Sequence, residues 1–223
     1  MIPIFVGYDP REAIAFHVCV NSIIEHASCP VSIIPLALNA VGDRYTETHT
    51  DGSNQFTYTR FLVPHLMEYQ KWALYIDGDM IIRDDIAKLW GMREVGKDLM
   101  VVKHDYVTKQ NHKYFNSTNT SYPRKNWSSV MLWNCGSHAN RRLTPQYVQN
   151  ATGQYLHRFE WLDDHKIGSL PLEWNWLADE YGINADAKLI HYTLGAPCFA
   201  DFAVGPHSDL WHRQYRMTTY CQE

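Results

Sequence analysis

Two acidic residues separated by one glycine, Asp77 and Asp79, offer the clearest chemistry in this sequence. They directly follow the apolar run WALYI (72–76), which is typical of a buried strand. Ligand sites in open α/β sheets lie at the carboxyl ends of strands. Two carboxylates held together there repel each other, which raises a pKa or demands a cation. Mg²⁺ or Mn²⁺ meets that demand, and such a metal can hold a diphosphate and stabilise its departure.

Two other interpretations of this tripeptide are a solvated turn and a calcium-binding EF-hand loop. Asp and Gly are ordinary turn residues, so a turn would be the default if the preceding strand did not favour a site. An EF-hand loop needs glycine at its sixth position and an acid at its twelfth, where this chain has Ile82 and Lys88. The EF-hand is therefore excluded.

The elements that must position the acidic pair alternate between strands and helices. Apolar runs predict five strands, at residues 2–8, 31–38, 72–76, 99–103 and 129–134. Helices are predicted within 9–28, 56–69 and 144–157, and polar loops at 39–55 and 104–128. This alternation predicts an α/β fold with a mostly parallel central sheet flanked by helices. The last thirty residues lack clear periodicity, and we expect them to wrap over the sheet.

Composition and charge limit the classes of function. The chain has 223 residues, of which 45% are hydrophobic, so it can bury a core and is not disordered. Its net charge of −4 disfavours nucleic acid and anionic membranes as partners. The five cysteines include no C-x-x-C pair, and neither a signal peptide nor a stretch of 18 apolar residues is present. We therefore expect a cytoplasmic protein without a transmembrane segment.

The segment FTYTRFLVPHLMEYQKWALYIDGDMIIRDDIAKLW resembles the central signature of family 8 glycosyltransferases, the glycogenin and galactosyltransferase group with a GT-A fold. That signature joins a Tyr/Thr-x-Arg helix, a strand, an Asp-x-Asp and an Asp-Ile followed by an apolar pair. The matching residues are Tyr58, Arg60, Asp77, Asp79, Asp85, Ile86, Leu89 and Trp90. The stretches VGYDPREAIAFHVCVNSIIEHA, SSVMLWN and HYTLGAPCF resemble further motifs of the family in the same order. The resemblance covers roughly residues 2–199.

The resemblance implies a single GT-A catalytic domain over residues 1–223. Residues 1–100 would form its nucleotide-binding half, ending in the Asp-x-Asp motif, and residues 101–223 its donor-sugar and acceptor half. The implied ligands of Mn²⁺ or Mg²⁺ are Asp77, Asp79 and His191. The implied donor-binding residues are Val6, Tyr8, Asp9, Arg60, Asp77, Gly78, Asp79 and Gly195. Asp163 and Asp164 are the implied catalytic residues near the reacting sugar, and Asp164 is favoured.

One of these assignments conflicts with a local signal, and two motifs depart from the family. Asp9 can also cap the following helix, and it cannot serve fully as both a cap and a base ligand. The Trp-Ser-Ser sequence at 127–129 stands where the family has Asn-Ser-Gly. The last motif lacks the family's phosphate-binding lysine, for which Arg60, His191 or Lys125 could compensate.

We therefore expect a metal-dependent glycosyltransferase that uses a nucleotide-sugar donor, with a UDP-sugar favoured, and retains the anomeric configuration. The acceptor hydroxyl, on a glycan, a lipid-linked sugar or a protein, would attack in a pocket built by loops 39–55 and 104–128. Two alternatives stay open. A sugar-nucleotide pyrophosphorylase shares the architecture but should have a Gly-rich phosphate loop where this chain has GYDPREA. A non-catalytic nucleotide-sugar or glycan-binding module is the other, and the oligomeric state is left undetermined.

Overall fold

The computed structural model describes residues 1–110, 112 and 121–220, so Cys221 lies outside the described residues. Its strands are β1 Ile2–Tyr8, β2 Val31–Ala37, β3 Trp72–Ile76, β4 Met80–Ile82, β5 Leu99–Val102, β6 Val130–Asn134, β7 Ile167–Leu170, β8 Trp176–Leu177 and β9 Leu189–His191. Six of them form the main sheet in the order β2-β1-β3-β6-β5-β7, and the other three form a small sheet in the order β4-β9-β8.

The main sheet is mostly parallel, as predicted. Strand β1 pairs in parallel with β2 and β3, and β5 pairs in parallel with β7. Strand β6 runs antiparallel to both of its neighbours, β3 and β5. Five of the six strands therefore share one direction, and only β6 is reversed. All five predicted strands are present; the four that the pattern missed are only two to four residues long.

The helices are α1 Ala13–Glu25, α2 Leu38–Val41, α3 Phe56–Thr59, α4 Val63–Leu66, α5 Ile86–Gly91, α6 Pro145–Asn150, α7 Gly153–His157, α8 Ala178–Tyr181 and α9 Ser208–Thr219. The helix predicted over 56–69 is α3 and α4 joined by a 3-10 turn, and it ends at Leu66. The helix predicted over 144–157 is divided into α6 and α7, because the hydroxyls of Thr144 and Thr152 each cap a new helix.

The C-terminal segment contains α9, which the sequence pattern did not reveal. Trp211 of α9 packs with Val18 of α1 and Ile190 of β9. Gln214 Nε2 donates a hydrogen bond to Glu25 Oε2 at 2.9 Å. The segment therefore covers α1 and the small sheet, whereas the sequence pattern had predicted no second sheet for it to cover.

The core lies on both faces of the main sheet, because successive side chains of a strand point to opposite faces. Ala73 and Tyr75 of β3 join the cluster that contains residues of α3 and α4, whereas Leu74 and Ile76 join the cluster that contains residues of α1 and β4. This packing holds the end of β3 between two layers. Among the described helices, each is too short or too polar to cross a membrane.

Candidate active site

The acidic turn lies at the carboxyl end of β3, against the end of β1. The backbone N–H of Asp77 donates to Ser129 O at 3.0 Å, which ties the turn to the segment before β6. A Cβ at position 78 would lie 2.3 Å from Gly7 O, so only glycine allows this approach of the two strand ends. The backbone packing therefore explains why Gly78 separates the two acids.

The small sheet brings His191 to the acidic pair. Met80 and His191 are partners in the antiparallel pairing of β4 with β9, and Tyr192 N donates to Asp79 O at 3.1 Å. Asp77, Asp79 and His191 each offer one ligand atom, and these atoms lie within 4.8 Å of one another. The three residues are only 6%, 6% and 3% exposed. Two carboxylates and one imidazole form a donor set suited to a divalent cation such as Mn²⁺.

Arg60 supplies one compensating charge to this buried cluster. Its Nη1 forms an ion pair with Asp77 Oδ1 at 2.9 Å and donates to Ser128 O at 3.0 Å, while its Nε donates to Phe56 O at 3.1 Å. The Tyr75 hydroxyl donates to Asp77 Oδ1 at 2.5 Å. Burial still raises the pKa of Asp77, Arg60 opposes the rise and the charge of Asp79 adds to it. The two buried carboxylates thus carry more negative charge than the single positive charge of Arg60 can neutralise, and this excess favours a bound cation.

The cluster lines a cavity of about 410 Å³. Both loops predicted to build the reaction pocket contribute to its wall, with Asp51, Ser53 and Asn54 from loop 39–55 and Tyr122, Lys125, Asn126 and Ser128 from loop 104–128. Lys125 is only 6% exposed, and its ammonium lies 5.6 Å from the centre of the Tyr122 ring. The cavity therefore places a further cation in the same space as the acidic cluster.

Helix α7 and the residue after it form a wall of the cavity that sequence reasoning missed. Gly153, Gln154, His157 and Arg158 all line it. His157 Nδ1 lies 2.8 Å from Ser128 Oγ, so the imidazole and the hydroxyl share a hydrogen bond. No motif or spacing relates α7 to β3. The only local signal was the helix predicted over 144–157.

Three residues predicted to bind the nucleotide lie outside the cavity wall. Val6 is fully buried in the core, and the half-buried ring of Tyr8 packs edge-on against Phe16 at 5.2 Å. Asp9 accepts hydrogen bonds from the backbone N–H of Arg11 at 2.9 Å and of Gln55 at 3.0 Å, and it pairs with the Arg11 guanidinium at 2.6 Å.

The environment of Asp9 supports one of its two predicted roles, that of a helix cap. Burial by itself would raise the pKa of Asp9, but the hydrogen bonds from Arg11 and Gln55 outweigh burial and lower it. The carboxylate caps the 3-10 helix Pro10–Glu12 that leads into α1. The capping interpretation therefore fits the structure, and protein donors engage both carboxylate oxygens; the base-ligand assignment stays a prediction.

The remaining predicted site residues also lie outside the cavity wall. A Cβ at Gly195 would lie 2.5 Å from the Phe202 ring, so the glycine allows close packing there. The Asp164 side chain is 84% exposed and forms an ion pair with Arg124 at 2.5 Å. Asp163 is exposed as well. Neither acid lines the cavity that contains the acidic cluster, so the geometry gives their catalytic assignment no support, and it stays a prediction.

Comparisons with known proteins agree with this geometry. The family model described as "Glycosyl transferase family 8" matches residues 44–196, which contain the acidic turn and His191. The Arabidopsis thaliana protein named "Protein CDI" is 41% identical over 216 residues, covering 93% of this chain and 83% of that protein.

Two solved structures share the fold. The galactosyltransferase LgtC, in complex with donor and acceptor sugar analogs, superposes with a TM-score of 0.65 at 14% identity, covering 100% of this chain and 98% of LgtC. The bifunctional glycosyltransferase WbbM, in its apo form, gives a TM-score of 0.68 at 15% identity over 96% of this chain. The present chain spans about half of WbbM, 49% of its length.

Proposed function

The chain belongs to glycosyl transferase family 8 and is a glycosyltransferase of the GT-A fold, and we propose that it transfers a sugar from a nucleotide-sugar donor to an acceptor hydroxyl. The observation that carries this proposal is the buried cluster of Asp77, Asp79 and His191 in a cavity that also contains Lys125. A UDP-sugar is the favoured donor, and Mn²⁺ or Mg²⁺ the favoured cation.

The three residues of the cluster would hold the cation, which when bound supplies positive charge next to the departing diphosphate. Arg60 holds Asp77 in place and offsets its charge, because its Nε and Nη1 are engaged by Asp77 and by the carbonyls of Phe56 and Ser128. The role proposed for Arg60 is therefore to orient the acidic turn.

Lys125 and Arg158 are the residues that we assign to the donor phosphates. Both line the cavity, and Lys125 is nearly buried in its wall. A cation in a water-poor cavity stabilises developing negative charge more strongly than one in bulk water. Lys125 thus takes the place of the phosphate-binding lysine that the last motif of this chain lacks.

The proposed division of the domain follows from these assignments. The half formed by residues 1–100 supplies Arg60 and the acidic turn, and the half formed by residues 101–223 supplies His191, Lys125 and α7. The sugar would lie beside α7, where His157 and Ser128 share a hydrogen bond and can contact its hydroxyls. The proposed acceptor is a hydroxyl of a glycan, a lipid-linked sugar or a protein.

Retention of configuration is proposed from family membership alone. A cytoplasmic location is also proposed, because the described cysteines are all free thiols.

The test measures UDP release from a panel of UDP-sugars with Mn²⁺, for the wild type, Asp79→Asn and the control Asp84→Asn. Asp84 is an acid near the cluster in sequence that pairs with Lys88 instead. We expect EDTA to abolish release and Asp79→Asn to lower it by more than about 100-fold, because even the residues that support metal ligands are worth 10–100-fold. The control should match the wild type.

Three outcomes would contradict the proposal. Turnover that survives Asp79→Asn unchanged would exclude the metal assignment. Donor binding without hydrolysis or transfer to any acceptor would indicate a binding module. Pyrophosphate-dependent exchange would indicate a pyrophosphorylase.

A further inference from the structure

Asn175 is a buried amide that contacts His191 on the side away from the acidic pair. It ends the 3-10 helix Leu172–Asn175 and is 0% exposed. Its Oδ1 lies 3.0 Å from His191 Nδ1. Its Nδ2 lies 2.8 Å from Ser129 Oγ and 3.2 Å from Asn126 O. Every polar atom of this side chain therefore has a partner within the protein.

These partners determine which way the amide points. Asn126 O is a backbone carbonyl and can only accept, so the atom that faces it must be the amide nitrogen. Asn175 Oδ1 must then face His191, and a carbonyl oxygen can only accept. The hydrogen atom of this bond consequently belongs to His191 Nδ1.

The position of that hydrogen determines what His191 offers to the cavity. In a neutral imidazole with its hydrogen on Nδ1, the other nitrogen carries a free lone pair. His191 Nε2 lies 3.3 Å from Asp79 Oδ1, which is also an acceptor. Two acceptor atoms repel each other at this distance, whereas a cation that binds both of them makes their approach favourable.

We propose that Asn175 is a positioning residue that holds His191 as the Nδ1–H tautomer and so directs the Nε2 lone pair toward a divalent cation. The inference rests on the proposed function, because it concerns the same cation. Metal-ligating histidines commonly donate their second N–H to an oxygen that fixes the ring, and partners of this kind strengthen metal binding.

Ser129 supports Asn175 from the segment that precedes β6. The Ser129 hydroxyl accepts from Asn175 and donates to Asn126 O at 2.7 Å, and its backbone carbonyl accepts from Asp77 N at 3.0 Å. Serine stands here where the motif that this segment resembles has glycine. One buried residue thus connects the backbone of one proposed metal ligand to the side chain that orients another.

The first experiment uses the wild-type protein without metal. Long-range ¹H–¹⁵N correlation spectra of protein labelled at histidine distinguish the two tautomers, and His191→Gln assigns the His191 signals. We expect the hydrogen of His191 on Nδ1. A neutral His191 with its hydrogen on Nε2 would overturn the inference whatever the enzymatic activity.

The second experiment compares Mn²⁺ binding to the full chain, measured by calorimetry or by electron paramagnetic resonance without donor. Asn175→Ala should weaken Mn²⁺ binding by about 10–100-fold. The matched control is Asn140→Ala, because Asn140 is also 0% exposed, donates to Asp98 O and Asn134 O, and accepts from Trp161 Nε1 away from the cluster. The control should bind Mn²⁺ like the wild type.

Ser129→Gly keeps the test decisive if Asn175→Ala does not fold. It removes one hydrogen bond of Asn175 and should weaken Mn²⁺ binding by less than Asn175→Ala, with a mixture of His191 tautomers. Equal Mn²⁺ affinity in the wild type and in the folded variants would overturn this inference but not the proposed function. A wild type that binds no Mn²⁺ would instead contradict the metal part of the proposed function, and the tautomer measurement would still stand.

Discussion

Replacing Arg60 with methionine should destabilise the metal-free protein by about 3–5 kcal/mol, because it leaves the buried Asp77 carboxylate without its cation. The ion pair joins Arg60 Nη1 to Asp77 Oδ1 at 2.9 Å, and the two residues are only 5% and 6% exposed. Methionine retains much of the buried aliphatic volume, so the lost charge and hydrogen bonds should dominate the change.

The expected change in melting temperature follows from the length of the chain. A change of 1 kcal/mol shifts the melting temperature by about 2–4 °C in a domain of 150–250 residues. A loss of about 3–5 kcal/mol therefore predicts a decrease of roughly 6–20 °C. The neighbouring carboxylate of Asp79 adds to the effect, because the two acids repel each other once Arg60 is absent.

The assay is a double-mutant cycle in EDTA with Arg60→Met, Asp77→Asn and the combined variant, each followed by thermal and urea unfolding. The combined variant buries no unpaired charge at position 77. It should therefore be more stable than the sum of the two single effects predicts, by about 0.5–3 kcal/mol. Arg83→Met is the control, because Arg83 Nη1 donates to the carbonyls of Ala185 and Ala187.

Two results would refute this reasoning. Additive effects in the cycle would show that Arg60 and Asp77 do not interact in the folded protein. A decrease no larger than that of Arg83→Met would show that the buried carboxylate does not need its partner.

Three further predictions concern other parts of the fold. Gly78→Ala should lower the melting temperature by roughly 2–12 °C, because the new Cβ would lie 2.3 Å from Gly7 O and overpacking of this kind costs about 1–3 kcal/mol. An unchanged melting temperature would show that the turn relaxes to make room. Asp164→Asn should leave UDP release unchanged and stability within about 0.5 kcal/mol, since the side chain is exposed; a large loss of turnover would restore its catalytic assignment. Burial lowers the pKa of His104 from 6.5 to about 3, so as pH falls below 6.5 the unfolded chain takes up a proton that the folded protein does not. This group alone should therefore cost about 1.4 kcal/mol of stability per pH unit, and His104→Phe should remove that slope in urea unfolding between pH 6 and 4; equal slopes would contradict it.

The sequence was sufficient for features that depend on neighbouring residues. The apolar runs predicted five of the nine described strands, and the position of the acidic turn at the end of β3 follows from WALYI and Asp-Gly-Asp alone. Family resemblance added Arg60 and His191, which the structure places beside that turn. The strand predictions were confirmed because strand periodicity is a local property of the chain.

The tertiary structure decided what depends on contacts between distant segments. The reversal of β6, the place of α7 in the cavity wall and the burial of Lys125 are not encoded in any local spacing. Asp9 shows the physical reason most directly. Its own segment allowed it to be either a helix cap or a base ligand. The packing of α3 near the end of β1 brings the backbone N–H of Gln55 to Asp9, and this N–H donates a hydrogen bond to the carboxylate. The sequence determines which functional group a side chain has. The fold determines which other groups hydrogen-bond to it, and so how much of its hydrogen-bonding capacity remains for a ligand.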